Sequence, residues 1–391
     1  MTEGTMNETA IRDRLTEILR DLIAIPSPFP PGDSVAISAY AAGRLRAAGY
    51  RTEVLAEAPG VDNVVGRLGE GGPQLVFNAH SDTVAVGDRS LWSSDPYQAE
   101  MRDGRIHGLG AGNCKGSMAV QLWLAEEIAR RGGPARGTLA FTFVADEENL
   151  GPHGMAFLRR AGHVRPDILI LGAQTENQMI VAERGVLWAR VTTSGRAAHA
   201  GNPAAGDNAI LRLVRLLGTL ETQLKPRLDA RRDGDMQSTI NVGLIDGGAN
   251  ANVVPARAGM TIDRRLLPGE KVEDALAELH AILEAAGEPA GSWALERLTG
   301  TNGFRAGADG PGVTALAAAI AARSGHPARL LNATGVSDGR YFADDGIEIV
   351  NFGPGSGAEG HAANESVPLS QMVESAIILL NCVHNLLGIR D

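Results

Sequence analysis

A chain of 391 residues, 44% hydrophobic and 21% charged, is typical of a globular protein with more than one core. The formal net charge of -10 and the lack of a long Lys/Arg run exclude a typical nucleic-acid-binding protein. Two cysteines give no disulfide framework, and neither a signal-peptide core nor an apolar run of about 18 residues predicts export or a membrane span. We therefore expect a cytoplasmic protein.

The first half of the chain alternates between helix and strand patterns. The predicted helices cover residues 11–25, 34–48 and 117–130, and the predicted strands cover residues 52–55, 63–67, 138–145 and 167–172 and the start of LVFNAHSDTV at 75–84. The apolar runs TLAFTFVA and DILILG are typical of strands buried on both faces. This alternation predicts an α/β domain with a mostly parallel sheet, in which sites lie beyond the carboxyl ends of the strands.

The middle of the chain follows a different order of elements. It contains, in chain order, a predicted strand at 186–194, a helix at 208–220, strands at 239–245 and 257–264, and a helix at 272–286. This order indicates a small α+β unit inserted into the larger domain, whose sheet resumes at 328–331 and 347–351 before a closing helix at 369–387. The predicted catalytic domain therefore comprises residues 1–183 and 292–391, and the inserted domain residues 184–291.

Polar side chains follow two of the predicted strands. His80 and Asp82 lie at the end of the first, and because alternate residues of a strand share a face, both point the same way. A histidine beside a carboxylate suits a metal ligand with an orienting partner. Glu147 and Glu148 end the second strand, where packed carboxylates need a nearby cation or must retain a proton. One of them is expected to bind a metal while its neighbour acts as a general base.

Two glycine-rich loops carry further candidates. Asn113 lies in GLGAGNCKG, where small residues permit close backbone approach, and His361 lies in GPGSGAEGHAANESV. Taken singly, the loop of Asn113 is also typical of a simple turn, and His361 is also typical of a solvated surface residue. Their shared position after predicted strands is what favours a common site.

Taken in order, these motifs resemble the M20 family of metallo-aminohydrolases and peptidases over nearly the whole chain. His80-Ser81-Asp82 resembles the His-x-Asp motif of that family, Glu147-Glu148 its Glu-Glu pair, and the loop around His361 its C-terminal motif. The resemblance implies that His80, Glu148 and His361 are metal ligands. It also implies that Asp82 orients His80 and that Glu147 is the general base.

The inserted unit carries motifs of the same family. GRAAHAG at 195–201 resembles the lid motif, and INVGLIDGG, NVVP and DRRLLPGE are similar to other lid segments. The resemblance implies a ferredoxin-like lid that forms a homodimer, in which His199 stabilises the oxyanion. The candidate substrate-binding groups are the backbone N–H groups of Gly353 and Gly355 and the side chains of Asn241, Asn252 and Arg264. Arg264 is equally well explained as a salt-bridged strand residue.

Two positions depart from the family pattern. Asn113 stands where the family has an aspartate that bridges two metal ions, and an amide brings no charge to a metal. Ala173 stands where the family has a metal-binding glutamate, and a shift to Glu176 requires a rebuilt loop. The sequence therefore predicts fewer than two ions of zinc, cobalt or manganese per chain, and it leaves open a chain with none.

Three functions remain open at this point. The first is hydrolysis of the amide bond of an N-acyl amino acid or small peptide, with water activated by a metal and Glu147 as the base. The second is non-hydrolytic acid–base chemistry on a related acyl amino acid, such as a lyase, isomerase, cyclisation or acyl-transfer reaction. The third is a binding protein without catalysis. The resemblance favours the first.

Overall fold

The computed structural model describes residues 7–333 and 335–390. Within this range the helices are α1 (Glu8–Ala24), α2 (Val35–Ala47), α3 (Gly116–Arg130), α4 (Met155–Arg160), α5 (Ala209–Thr219), α6 (Lys225–Asp229), α7 (Val272–Glu284), α8 (Pro311–Ser324) and α9 (Leu369–Leu387). The strands are β1 (Arg51–Ala56), β2 (Asp62–Glu70), β3 (Gln74–His80), β4 (Glu100–Arg102), β5 (Arg105–His107), β6 (Gly137–Val144), β7 (Ile168–Gly172), β8 (Met179–Glu183), β9 (Gly185–Ser194), β10 (Ala198–His199), β11 (Arg232–Asp233), β12 (Met236–Gln237), β13 (Thr239–Gly247), β14 (Val253–Val254), β15 (Arg257–Leu266), β16 (Trp293–Thr301), β17 (Phe304–Arg305), β18 (Leu330–Ala333), β19 (Glu348–Phe352) and β20 (Ser366–Pro368).

The described chain divides into two compact units. The first comprises the described residues up to Val181, residues Ala306–Leu331 and those from Ser337 onward. The second comprises Ala182–Arg305 with the described part of Asn332–Val336.

A mixed sheet forms the centre of the first unit. Its strands run in the order β1-β2-β6-β3-β7-β19, with parallel pairing from β6 through β19 and antiparallel pairing among β1, β2 and β6. The predicted parallel sheet is therefore found at the centre, and the edge formed by β1 and β2 is antiparallel. All eight positions of β6 are buried, as the continuous apolar run predicts. The parallel strands bring their carboxyl ends to the same edge of the sheet.

Helices cover this sheet through one apolar cluster. Residues of α1, α2, α3, α8 and α9 pack with those of β3, β6, β7 and β19 in a single buried cluster. α1 buries one stripe at helical spacing, and the Asn7 side chain caps it by accepting the N–H groups of Thr9 and Ala10. None of the helices in the described residues combines the length and apolar content that a bilayer span needs.

The second unit is an α+β sandwich. Its antiparallel sheet has the order β13-β15-β9-β16, and α5 and α7 pack against it in one apolar cluster. The chain order β9-α5-β13-β15-α7-β16 is that of a ferredoxin-like unit. The predicted boundary at residue 291 lies before β16, which pairs with β9, so this unit extends further than the sequence predicts.

Several of the described elements have no counterpart in the sequence analysis, among them β8 and α8. β8 is a five-residue strand, too short for a clear period-two pattern. α8 is rich in alanine and shows no distinct apolar stripe. Its ends nevertheless carry standard signals, a proline at the first helical position and Gly325 in the left-handed conformation after the last.

Phe141 is the core residue whose replacement we expect to lower the free energy of unfolding most clearly. It stacks on Phe77 with ring centroids 5.4 Å apart and meets Tyr50 edge-on at 5.7 Å, and it is fully buried. Phe141→Ala is expected to lower the free energy of unfolding by about 3–5 kcal/mol, because a cavity replaces the ring. Urea unfolding followed by circular dichroism measures the change. The control is Leu91→Ala, at an exposed leucine of the same unit, and equal midpoints for the two variants would contradict the packing described here.

Candidate active site

The carboxyl ends of β3 and β6 bring the candidate residues together. His80 is the last residue of β3 and lies opposite Val144, the last residue of β6. Glu147 and Glu148 follow β6 within four residues. Among the described residues, His80, Glu147 and Glu148 form a group whose possible ligand atoms all lie within 4.8 Å of one another. The neighbouring parallel strands predicted from the sequence therefore place these three side chains in one cluster.

Asp82 holds the His80 ring by its backbone more closely than by its carboxylate. The His80 Nδ1 atom lies 3.0 Å from the Asp82 carbonyl oxygen and 3.5 Å from Asp82 Oδ1. Both residues are buried, and Asp82 Oδ2 also accepts the backbone N–H of Glu148 at 3.2 Å. In the imidazolium form His80 donates from Nδ1 to Asp82 and from Nε2 to Asn113 Oδ1, whereas the neutral tautomer with its proton on Nδ1 would set the Nε2 lone pair against that oxygen.

The Asn113 carboxamide lies at the centre of the other candidate ligands. Its Oδ1 atom is 3.2 Å from His80 Nε2. Its Nδ2 atom is 2.8 Å from Glu148 Oε1 and 3.0 Å from His361 Nε2, and the latter two atoms are themselves 2.9 Å apart. Asn113, Glu148 and His361 therefore form a triangle with sides close to 3 Å.

Charge within this triangle shifts the pKa values of two of its members. The hydrogen bond to Glu148 raises the pKa of His361 above its usual value. Burial acts to raise the pKa of Glu148, but the hydrogen bond with His361 and the nearby imidazole of His80 outweigh it and lower this pKa. The Glu148 carboxylate is therefore held ionised next to the His361 imidazolium. A metal cation could replace the proton on His361 Nε2.

Glu147 has a different environment. Burial raises its pKa to about 8, with His80 and Arg340 acting in the opposite direction and Asp338 adding to the rise. Asp338 and Arg340 belong to a short 3₁₀ turn, Asp338–Phe342, and both are buried. The sequence analysis missed this pair. They lie between the predicted strands 328–331 and 347–351, so a search of every strand end for charged residues would have found them.

Glu365 fixes the loop that carries Asn113. Its carboxylate accepts the backbone N–H groups of Gly110, Gly112 and Asn113 at 2.6–3.0 Å. A side chain at Gly112 would collide with the Gln174 amide, which explains glycine at this position. Glu365 lies in the segment HAANES and was not singled out from the sequence. These bonds hold the Asn113 backbone next to His80.

The position that lacks its glutamate has no replacement in the structure. Ala173 follows β7 directly and offers no ligand atom. Glu176, three residues further on, is exposed, and its backbone N–H is bonded to the Gly355 carbonyl oxygen. A shifted glutamate therefore does not take the place of the missing ligand.

Three of the predicted substrate groups are already engaged. The N–H of Gly353 donates to Thr175 Oγ1 at 3.1 Å, and the N–H of Gly355 donates to Gln371 Oε1 at 2.8 Å. Arg264 is fully buried within the second unit and pairs with Glu270 and Glu278. Of the two interpretations of Arg264 given above, the structure agrees with the salt-bridged strand residue. In this conformation Gly353, Gly355 and Arg264 are not candidates for substrate binding.

The remaining predicted residues lie in the second unit. His199 is exposed, pairs across the short β10–β14 ladder with Val253, and accepts the Gly201 N–H on Nδ1 at 3.0 Å. Asn241 and Asn252 are also exposed. Their roles toward substrate stay predictions.

The donor set fits one metal ion better than two. Metal–ligand bonds of about 2.0–2.2 Å place neighbouring ligand atoms about 3 Å apart, which is the size of the Asn113–Glu148–His361 triangle. Rotation of the Asn113 amide by half a turn would put its oxygen in the triangle and its NH₂ group toward His80 Nε2. A second ion would find His80 without the carboxylates at positions 113 and 173. The site therefore fits a single ion.

Comparison with known proteins agrees with this fold. The profile of Peptidase family M20/M25/M40 matches residues 76–385. A succinyl-diaminopimelate desuccinylase from Bordetella petrii is 32% identical over 379 residues, which cover 95% of this chain and 97% of that protein. Among solved structures, an M20 family metallo-carboxypeptidase from Sulfolobus solfataricus has a TM-score of 0.77 at 17% identity, covering 96% of this chain and 99% of the other. A dinuclear metal-binding M20 peptidase from Bacillus subtilis has a TM-score of 0.72 at 16% identity, covering 97% and 99%.

Restoring the two carboxylates is expected to raise metal content. Asn113→Asp combined with Ala173→Glu supplies two negative charges to the empty side of the site, so bound zinc should rise toward about two ions per chain. Elemental analysis after zinc addition and desalting measures this stoichiometry. Glu176→Gln, at an exposed acid of the adjacent loop, is the control and should leave the metal content unchanged. No rise in the double variant would show that positions 113 and 173 are not the ligand positions.

Proposed function

Because this chain belongs to peptidase family M20/M25/M40 and is an amidohydrolase of that family, we propose that it hydrolyses the amide bond of an N-acyl amino acid. The observation that carries the proposal is the cluster of buried His80 with half-buried Glu147 and Glu148 beyond the parallel strands. Such a cluster combines a general base with metal-binding side chains. N-succinyl amino acids are the first substrates to test, given the desuccinylase relatives.

We assign proton transfer to Glu147. In its ionised form it accepts a proton from the attacking water and then delivers it to the leaving amine, so the amide C–N bond breaks as a neutral amine forms. Its neighbours His80 and Arg340 favour the ionised form against the effect of burial. Asp82 keeps His80 in one orientation through Nδ1.

We further propose that Asn113, Glu148 and His361 hold one divalent ion, with zinc, cobalt and manganese as the candidates. When bound, the ion supplies Lewis acidity that polarises the scissile carbonyl and makes water a better nucleophile. The Asn113 oxygen then faces the triangle, and its NH₂ group donates to His80 Nε2. That hydrogen bond uses the one His80 lone pair available to a second ion.

The second unit is proposed to act as a lid and as the site of homodimer formation. His199 is the candidate for stabilising the oxyanion, since it is exposed and, with Nδ1 accepting the Gly201 N–H, carries a proton on Nε2 that it can donate. Asn241 and Asn252 are the candidates for contact with the substrate carboxylate. Cytoplasmic location remains a prediction from the two unpaired cysteines.

A second function is favoured by the two missing carboxylates. With Asn113 and Ala173 in place, acid–base chemistry through Glu147, His80 and His199 on an acyl amino acid could proceed without water as a reactant. The products distinguish the two functions. Hydrolysis releases a free amine and a carboxylic acid in equal amounts, whereas an isomerase, a cyclase or an acyl transferase does not release both.

Glu147→Gln tests the general base. We expect it to lower kcat for N-acyl amino acid hydrolysis by about 10²–10⁴-fold, because the amide cannot accept the proton, while the bound metal is retained. Amine release from a panel of N-succinyl and N-acetyl amino acids is the measurement, with metal content and circular dichroism as checks. Glu176→Gln should keep the rate of the unmodified protein. A Glu147→Gln variant with unchanged kcat would remove Glu147 from the mechanism.

A further inference from the structure

Arg340 occupies a buried position whose contacts the proposed reaction has not used. Its side chain is 1% exposed, and Nη1 lies 3.6 Å from Glu147 Oε1 without a hydrogen bond to any atom of the described residues. A buried donor without an acceptor is rare in folded proteins, since it has given up its hydrogen bonds to water. From this geometry we propose that Arg340 is the positioning residue for Glu147: its Nη1 engages Glu147 Oε1 during turnover and leaves the other carboxylate oxygen for the attacking water.

The rest of the guanidinium is already fixed. Nη2 donates to the Tyr341 hydroxyl at 2.9 Å, the guanidinium carbon lies 4.4 Å from the Tyr341 ring centroid, and that hydroxyl donates to the Gly151 carbonyl oxygen at 2.7 Å. Gly151 belongs to the loop that follows Glu147 and Glu148. These hydrogen bonds tie Arg340 to the loop that carries Glu147, and a small movement of the Glu147 side chain would close the 3.6 Å gap.

The surrounding charges leave Glu147 as the partner of Nη1. Asp338, two residues before Arg340, is a buried acid whose Oδ2 accepts from Asn78 Nδ2 at 3.1 Å, and among the described residues Glu147 is the acid with an oxygen within 4.0 Å of the guanidinium. Glu148 Oε1 is used by Asn113 and His361. No side-chain hydrogen bond within the described residues fixes the Glu147 carboxylate, which leaves Arg340 as the group that can orient it.

The assignment has a kinetic consequence. A side chain that orients the base, without touching substrate, affects the rate of proton transfer and leaves substrate binding unchanged. This inference rests on the proposed hydrolysis by Glu147, and it adds a residue for which the sequence motifs imply no role. Because Arg340 acts through Glu147, replacing Arg340 should not lower the rate further in a variant that already lacks Glu147.

Arg340→Ala is the test. We expect kcat to fall by about 10–100-fold with KM changed less than about twofold, and added guanidinium ion to restore part of the rate. The kcat of Arg340→Lys should lie between that of Arg340→Ala and that of the unmodified protein, since lysine keeps the charge and loses the planar fork. The control is Arg159→Ala, which removes an arginine that lies over Phe342 of the same turn and pairs with Asp345, and which should keep kcat. An unchanged kcat in Arg340→Ala, or an equal loss in Arg159→Ala, overturns the proposal.

A second measurement keeps this inference separate from the proposed reaction. The urea midpoints of Arg340→Ala, Glu147→Ala and the double variant form a cycle that needs no substrate. We expect the loss of stability in the double variant to be smaller than the sum of the losses in the two single variants, or opposite in sign to that sum, because the two charges interact. Additive losses overturn the contact whatever reaction the protein catalyses. If the cycle shows coupling while the unmodified protein hydrolyses no acyl amino acid, the proposed function fails and the pairing of Arg340 with Glu147 stands.

Discussion

The structure of the site depends on one electrostatic constraint. Parallel strands β3 and β6 end side by side, and the chain places carboxylates at both ends, in a region where little water reaches them. Buried carboxylates at short distances require compensating positive charge, or one must keep its proton. Arg340 meets part of this requirement for Glu147, and His361 does so for Glu148. A bound cation is a natural third source.

Asn113 changes how this compensation works. An aspartate at this position would add a further negative charge between His80 and Glu148. The carboxamide instead satisfies both neighbours at once, with oxygen on one side and NH₂ on the other. A neutral group that can donate and accept lets the cluster exist with fewer cations. The backbone bonds to Glu365 show that the loop is built to hold residue 113 at this place whatever its charge.

The sequence predicted the parts of this arrangement that follow from local periodicity. β6 reads as a continuous apolar run, so both its burial and the acids at its end were predictable. Period two also places Arg264 on the same face as Met260 and Ile262, a sign of burial that the substrate hypothesis overlooked. A role for Arg340 could not be assigned in this way, because Glu147, the acid it faces, lies almost 200 positions away in the sequence. β16 was missed because it begins after residue 291, the predicted end of the inserted domain.

The two departures from the family pattern agree with each other in charge. Aspartate to asparagine at 113 removes one negative charge, and glutamate to alanine at 173 removes another. Together they remove the charge of one divalent ion, so a site with a single ion keeps the same balance as one with both carboxylates and two ions. Loss of only one of these carboxylates would leave an uncompensated charge in a buried cluster. The paired change is therefore consistent with the single ion proposed above, because it preserves the charge balance that such a site needs.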